Sequence, residues 1–232
     1  MVATIKKGSE STMKNVHFVA SWSGGKDSAL AYYRALQLGM VPKKILTMFE
    51  DDKEISKSHA IPLDVVQAQV DRLGVPLLTK PASWGSYEGQ FIDAMDTCRA
   101  EGITHGVFGD IDLEDHLKWV QTTCAKSDIV AVHPLWNMAR RTVVEELLEA
   151  GFEAWIIVVN TKMMPASYVG KRLTKELMEE LEAAGIDACG ENGEFHTIVV
   201  DGPIFSERVP ITISAPIERD HYIFSPVALE VN

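Results

Sequence analysis

Between residues 16 and 39 the chain reads as strand, glycine turn and helix, and this unit limits the fold to architectures that seat a ligand at such a turn. Val16-His17-Phe18-Val19-Ala20 is apolar and β-prone, Ser23-Gly24-Gly25-Lys26-Asp27-Ser28 follows, and Ala29, Leu30, Tyr33 and Leu36 recur at helical spacing until Gly39 stops the pattern. A turn of this kind aims several backbone N–H groups and a helix N-terminus at one point, which suits an anion. The glycines let the backbone approach without a Cβ in the way. Lys26 adds a point charge, and the hydroxyls of Ser23 and Ser28 add donors. The stretch reads as a phosphate cradle.

Spacing decides which cradle. A Walker A loop needs a glycine five positions before its Gly-Lys pair and Ser or Thr directly after the lysine. Here those positions are Ala20 and Asp27, and no G-x-G-x-x-G dinucleotide fingerprint occurs. The hexapeptide resembles instead the S-G-G-x-D-S PP-loop of the ATP pyrophosphatases, which split ATP into AMP and pyrophosphate. The bland alternative is a Gly-Gly turn that happens to precede a helix.

The rest of the first half repeats the alternation. Ile45–Phe49 reads as a strand ending in the acidic loop Glu50-Asp51-Asp52. A helix carrying Leu63, Val66, Val70 and Leu73 closes at Gly74, and Val75–Leu78 is a short strand. The Trp84–Glu88 stretch leads into a helix with Tyr87, Phe91, Ala94, Met95 and Cys98 on one face. Thr104–Phe108 is a fourth strand with Gly109-Asp110-Ile111 at its end; a helix over 112–126 and a strand at Ile129–Val132 follow. Strands alternating with such helices imply βαβ units and a parallel sheet. Ligands of these sheets lie at the carboxyl ends of the strands, where the Ser23–Ser28 loop and Gly109-Asp110 both fall.

Composition narrows the class. The formal charge of −11 disfavours broad electrostatic binding to nucleic acid, which needs clustered Lys and Arg. Three widely spaced cysteines, Cys98, Cys124 and Cys189, form no C-x-x-C and fit a reducing compartment. No apolar run approaches the roughly 20 residues a bilayer span requires. The start, with Lys6, Lys7 and Gly8-Ser9-Glu10-Ser11-Thr12, has no apolar signal-peptide region and reads as a flexible lead over 1–14. These signs point to the cytoplasm.

Past a boundary near His133-Pro134-Leu135-Trp136 come a helix with Val143, Val144, Leu147 and Leu148, the strand Ala154–Val159, and a helix with Leu173, Leu177, Leu181 and Ala184. The second unusual stretch is Cys189-Gly190-Glu191-Asn192-Gly193-Glu194-Phe195-His196-Thr197, ahead of the apolar Ile198-Val199-Val200. If it enters a strand at its end, Glu194 and His196 share a face. Such a group could be an acid/base pair, a metal ligand set, or a grip on an amine or carboxylate; a solvated hairpin tip is the plain alternative. His59, His116 with Trp119, and Arg140-Arg141 could each meet a nucleotide, but ordinary helix positions account for them equally well or better.

Taken with Phe108-Gly109-Asp110-Ile111, Pro134-Leu135-Trp136 and Asp201-Gly202-Pro203-Ile204-Phe205, these motifs resemble, in the same order, the diphthine–ammonia ligase family of PP-loop ATP-binding proteins. The resemblance covers residues 15–206, and its most specific part is G-E-x-G-E-F/Y-H-T. Asn192-Gly193 stands where the family often has Gly-Gly, and Phe195 replaces a frequent Tyr; with Trp22-Ser23-Gly24-Gly25 this resembles the bacterial branch.

The family fold implied is a Rossmann-like HUP α/β domain, with a parallel sheet and helices on both faces, over 15–135. A smaller C-terminal α/β domain, 136–232, carries the second motif. The implied activity is amidation of diphthine on an elongation factor: ATP adenylates the carboxylate, pyrophosphate leaves, and ammonia displaces AMP. Ser23, Gly24, Gly25, Lys26 and Ser28 would hold the phosphates, Asp27 the Mg²⁺, Gly109 and Asp110 the adenylate, and Glu191, Glu194 and His196 the substrate or ammonia. ATP and Mg²⁺ are thus the expected cofactors, with ammonia and a carboxylate as partners; a homo-oligomer is compatible with the sequence. Two other readings stay open: a PP-loop protein acting on tRNA or a small carboxylate, and a nucleotide-binding regulator without turnover.

Overall fold

A computed structural model of the chain describes all residues except 1–12, 52, 53, 58, 84, 231 and 232. Most of the expected N-terminal lead, Asp52 of the acidic loop and Trp84 therefore lie outside the described residues. The chain forms two compact units that interleave in sequence. One gathers the described residues of Met1–Ser23, Asp27–Ile55 and Gly74–Met138; the other gathers those of Gly24–Lys26, Ser56–Leu73 and Ala139–Asn232.

The first unit holds a five-stranded sheet built from β1 (His17–Ser21), β2 (Val41–Phe49), β3 (Leu77–Pro81), β4 (His105–Val107) and β5 (Val130–Val132), in the order β3-β2-β1-β4-β5. Every pairing is parallel. The chain steps outward from β1 through β2 to β3, then returns to the other side of β1 with β4, so the order reverses between β1 and β4. Crevices at such switch points are where open α/β sheets bind ligands. β1 can occupy the centre because Phe18, Val19 and Ala20 are all buried, as a strand covered on both faces requires. Its register sets Val19 beside Gly106 of β4 and Lys44 of β2.

The helices of this unit are α1 (Lys26–Gln37), which begins on the glycine loop, α3 (Tyr87–Ala100) and α4 (Glu114–Ala125). The expected face of α3 is observed: Phe91, Ala94, Met95 and Cys98 are buried and join Val19, Leu46, Met48, Phe108 and Val120 in one core. Burial pushes the Cys98 thiol up to about 11, consistent with a packed, unreactive side chain. On α1 the buried side is displaced from the expected one. Ala29 and Leu30 are buried as read, but Tyr32 is the buried tyrosine, edge-on to Phe18 and Trp22, while Tyr33 and Leu36 are only partly covered.

The second unit contains α2 (Leu63–Leu73), α5 (Arg140–Glu149), β6 (Glu153–Asn160), α6 (Lys175–Ala183) and β7 (Phe195–Asp201). Four short strands follow: β8 (Ile211–Ile213), β9 (Ile217–Arg219), β10 (Tyr222–Phe224) and β11 (Val227–Leu229). The strands form an antiparallel sheet, β7-β6-β10-β9, and a separate pair, β11-β8. Leu173 lies before α6 rather than in it. Thr174 is the N-cap, its hydroxyl accepting from the Leu177 N–H at 3.1 Å, which satisfies one of the orphan donors of the first turn.

Candidate functional site

The Ser23–Ser28 loop is divided between the units, and each part has its own neighbours. In the first unit Ser23 ends the segment after β1 and Asp27 and Ser28 open α1. The two serine hydroxyls lie 3.2 Å apart and bond each other. Gly109, just past β4, packs directly on this helix start: a Cβ there would meet the Asp27 carbonyl carbon at 2.9 Å and the Ser28 nitrogen at 3.1 Å. The glycine is therefore required for β4 and α1 to approach. Asp27 is half-buried in the first turn of α1.

Asp110 continues from Gly109 and is held by two histidines. One oxygen bonds the His116 Nδ1, and the other bonds the Nδ1 of buried His133 at 2.9 Å. Burial opposes ionisation of Asp110, but the hydrogen bonds and charges of His116 and His133 override it and hold the carboxyl at about 2. His116 stacks on Trp119, which packs in turn against Phe91 and Tyr87, so this aromatic face is a packed one.

In the second unit, Gly24, Gly25 and Lys26 are fastened to β7. The Val199 N–H donates to the Gly24 carbonyl at 2.9 Å, and the Lys26 N–H donates to the Thr197 hydroxyl at 3.1 Å. From α2, the fully buried Gln69 amide donates to both the Gly24 carbonyl (3.1 Å) and the Val199 carbonyl (2.7 Å). Gly24 sits at φ +82°, a left-handed conformation that a side chain would strain, and a Cβ would also strike Ile61 and Gln69. The Lys26 Nζ lies 3.7 Å from a Glu191 oxygen, both side chains largely buried, and 6.0 Å from the Phe195 ring centroid. Loop and second motif are thus one constellation, with the lysine between them.

Within the motif the residues separate by role. Glu194 is 4% exposed, and its carboxylate accepts from the Asn192 backbone N–H (3.0 Å) and side-chain amide (2.9 Å). It braces its own turn. Arg140 donates to Asn192 and to Asp187, and Asp187 accepts from the Glu191 N–H, so the Glu191 turn is tied from both ends. Gly190 allows the tight return, since a Cβ there would lie 3.0 Å from the Phe195 carbonyl oxygen. His196 lies against the His59 ring, centroids 4.7 Å apart. Buried Glu194 and Phe195 distinguish this segment from a solvated hairpin tip.

Gln69 and His59 are the residues that sequence reading missed or set aside. Gln69 did leave a signal: it is a long amide on the apolar face of α2, between Val66 and Val70. Arg141 pairs with Glu145 and Glu182 and stays on its helix face. Among the described residues, no helix is long and apolar enough to cross a membrane.

The five-stranded parallel sheet with its helices makes the first unit a Rossmann-like α/β core, and the second unit adds a smaller antiparallel sheet. Residues 15–131 match the diphthamide synthase N-terminal domain and residues 139–224 the diphthamide synthase C-terminal domain. The chain belongs to the diphthamide synthase family. Among curated relatives, the diphthine–ammonia ligase of Rattus norvegicus is 22% identical over 231 residues, covering 89% of this chain and 86% of the relative. Those of Bos taurus and Homo sapiens are each 27% identical over 133 residues, 55% of this chain and 48% of theirs. In these two alignments the chain spans about half the length of the relative.

Proposed function

We propose that the protein is an ATP-dependent amide ligase of the diphthine–ammonia ligase type: it adenylates a carboxylate, releases pyrophosphate, and transfers ammonia to the acyl group with loss of AMP. The observation that carries this reading is the direct attachment of the Gly24–Lys26 cradle to the Glu191–Thr197 motif through Lys26, Thr197 and Val199. A cradle tied to the motif that handles the second substrate suits a reaction in which nucleotide and carboxylate must meet. A carboxylate is a poor acyl donor until AMP makes its oxygen a good leaving group. The protein's work is then chiefly positioning and charge stabilisation.

In this reading Ser23, Gly24, Gly25, Lys26 and Ser28 hold the polyphosphate, with Gly109 and Asp110 serving the adenylate end. Lys26 already carries a carboxylate partner in Glu191, so a polyphosphate arriving there meets an anion as well as a cation. A divalent cation would offset that repulsion. Hard carboxylate oxygens suit Mg²⁺, and Asp27, the one acid within the hexapeptide, is its proposed ligand. When bound, Mg²⁺ would neutralise the departing pyrophosphate. Glu191 and His196 receive substrate or ammonia, while Glu194 acts by holding the turn that presents Glu191. Functionally we divide the chain into an ATP-binding segment, 15–135, and a substrate segment, 136–232.

The reading is tested by incubating the protein with ATP, labelled ammonium and diphthine-bearing elongation factor 2. AMP, pyrophosphate and labelled amide in equal amounts are expected. Products of ADP and phosphate, or nucleotide cleavage without nitrogen incorporation, would overturn it.

A further inference from the structure

Amide formation from an acyl-adenylate needs more than a cradle. Ammonia attacks as a neutral nucleophile, and the nitrogen must give up a proton as the amide forms. A base must therefore stand where the second motif meets the phosphate loop. Glu194 cannot serve, because its carboxylate is spent on Asn192. Glu191 faces Lys26.

One imidazole there is held in a single orientation and has a defined acceptor. His59 precedes α2, and its neighbours are tied to Ser56: the Ala60 N–H donates to the Ser56 carbonyl (3.0 Å) and the Ile61 N–H to the Ser56 hydroxyl (3.1 Å). Ala60, next to His59, adopts φ +53°, a left-handed conformation that costs a non-glycine residue. The His59 Nδ1 lies 2.9 Å from the Thr197 carbonyl oxygen. A carbonyl only accepts, so Nδ1 carries the hydrogen and Nε2 is the ring's lone-pair nitrogen. The ring touches the loop itself: a Cβ on Gly25 would lie 2.5 Å from the His59 Cε1. Its face rests on His196. His59 thus contacts both the cradle and the second motif.

We propose that His59 is the base of the amidation step, its Nε2 taking the proton that the attacking nitrogen releases; this rests on the ligase reading above. The nitrogen lone pair forms the C–N bond at the acyl carbon, and the C–O bond to the phosphoryl oxygen breaks with its electron pair leaving on AMP. One N–H proton passes to Nε2. The imidazolium so formed is stabilised by the Thr197 carbonyl at Nδ1 and returns its proton to solvent after AMP departs.

The charged and titratable groups against the ring are Lys26 from the loop and His196 from β7, with Lys57 two residues before it in the chain. Burial, and then the Lys26 charge, hold free His59 down at about 4 despite the Thr197 bond, so it is neutral at physiological pH.

The test uses His59→Asn, whose side-chain amide can still donate to the Thr197 carbonyl but has nothing at Nε2. Two rates are read on the full-length protein with diphthine-bearing elongation factor 2: pyrophosphate–ATP exchange, and incorporation of labelled ammonium across pH. The expected result is exchange that continues, amide formation lower by about 100-fold or more, and loss of the acidic limb of its pH profile. Retained exchange also shows that the variant is folded. Exchange and amidation falling together would overturn the proposal, making His59 a support for the cradle, and so would unaltered amidation. Wild-type protein without any carboxylate-dependent exchange would instead refute the ligase reading, and this inference with it.

Discussion

Replacing Thr197 by valine isolates the bond on which the loop's attachment depends. The side chain is 2% exposed, and its hydroxyl accepts from the Lys26 N–H at 3.1 Å. Valine has nearly the same shape, so packing is kept while a buried amide loses its acceptor. An unsatisfied buried donor costs about 1–3 kcal/mol. For a chain of this length each kcal/mol shifts Tm by roughly 2–4 °C, so a fall of about 2–12 °C is expected by thermal unfolding. If about 1.4 kcal/mol of the cost is borne by the nucleotide-bound loop, ATP affinity drops about tenfold, readable by titration calorimetry. Thr197→Ser keeps the acceptor and should recover most of both effects. A valine variant with unchanged Tm and unchanged affinity would refute the reasoning. So would tighter ATP binding, which would mean that the Lys26 N–H serves phosphate better when Thr197 does not claim it.

Other variants address the remaining contacts. Gly25→Ala puts a methyl 2.9 Å from the Thr197 carbonyl oxygen as well as against His59; backbone cannot swing aside, so we expect overpacking of about 1–3 kcal/mol and lost ATP binding, checked by denaturation and titration. Asp27→Ala should abolish pyrophosphate exchange. Glu194→Ala should spare ATP binding and impair amide formation, because it orphans the Asn192 N–H and loosens the Glu191 turn; equal loss of ATP affinity in both variants would contradict this division. The His116 and His133 bonds hold the Asp110 carboxyl at about 2 in the folded protein against about 3.9 unfolded, so its contribution, about 2.6 kcal/mol, is present above the unfolded value and lost as pH falls through the folded one. Urea unfolding of Asp110→Asn should accordingly show a flatter pH dependence in that acid window than wild type.

Much of the first unit was legible because its signals are local. Phe18–Ala20, the period of Phe91, Met95 and Cys98, and the glycines closing α1 and α3 (Gly39 and Gly102) fix elements by burial and backbone preference alone. The displaced face of α1 shows the limit: Tyr32 and Tyr33 are adjacent, and only packing against Phe18 and Trp22 decides which goes inside. The C-terminal strands left little trace. β8 to β11 are three residues each among Ser, Pro and Glu, and their pairing is set by long-range antiparallel contacts that no local period encodes. The site behaved likewise. The residues proposed to carry chemistry stand together in the sequence, in Ser23–Ser28 and Gly190–Thr197, whereas the side chains that contact them do not. Gln69 is 130 residues from Val199 and His59 is 138 from Thr197, and only folding brings them together.

The central claim, that the loop uses ATP to activate a carboxylate, is tested most directly by exchange of labelled pyrophosphate into ATP with and without diphthine-bearing elongation factor 2, ammonia being withheld. Exchange that appears only with the carboxylate substrate, and vanishes in Asp27→Ala, is the predicted result. Exchange that runs equally well without any carboxylate, or none in its presence although ATP binds, would contradict the account.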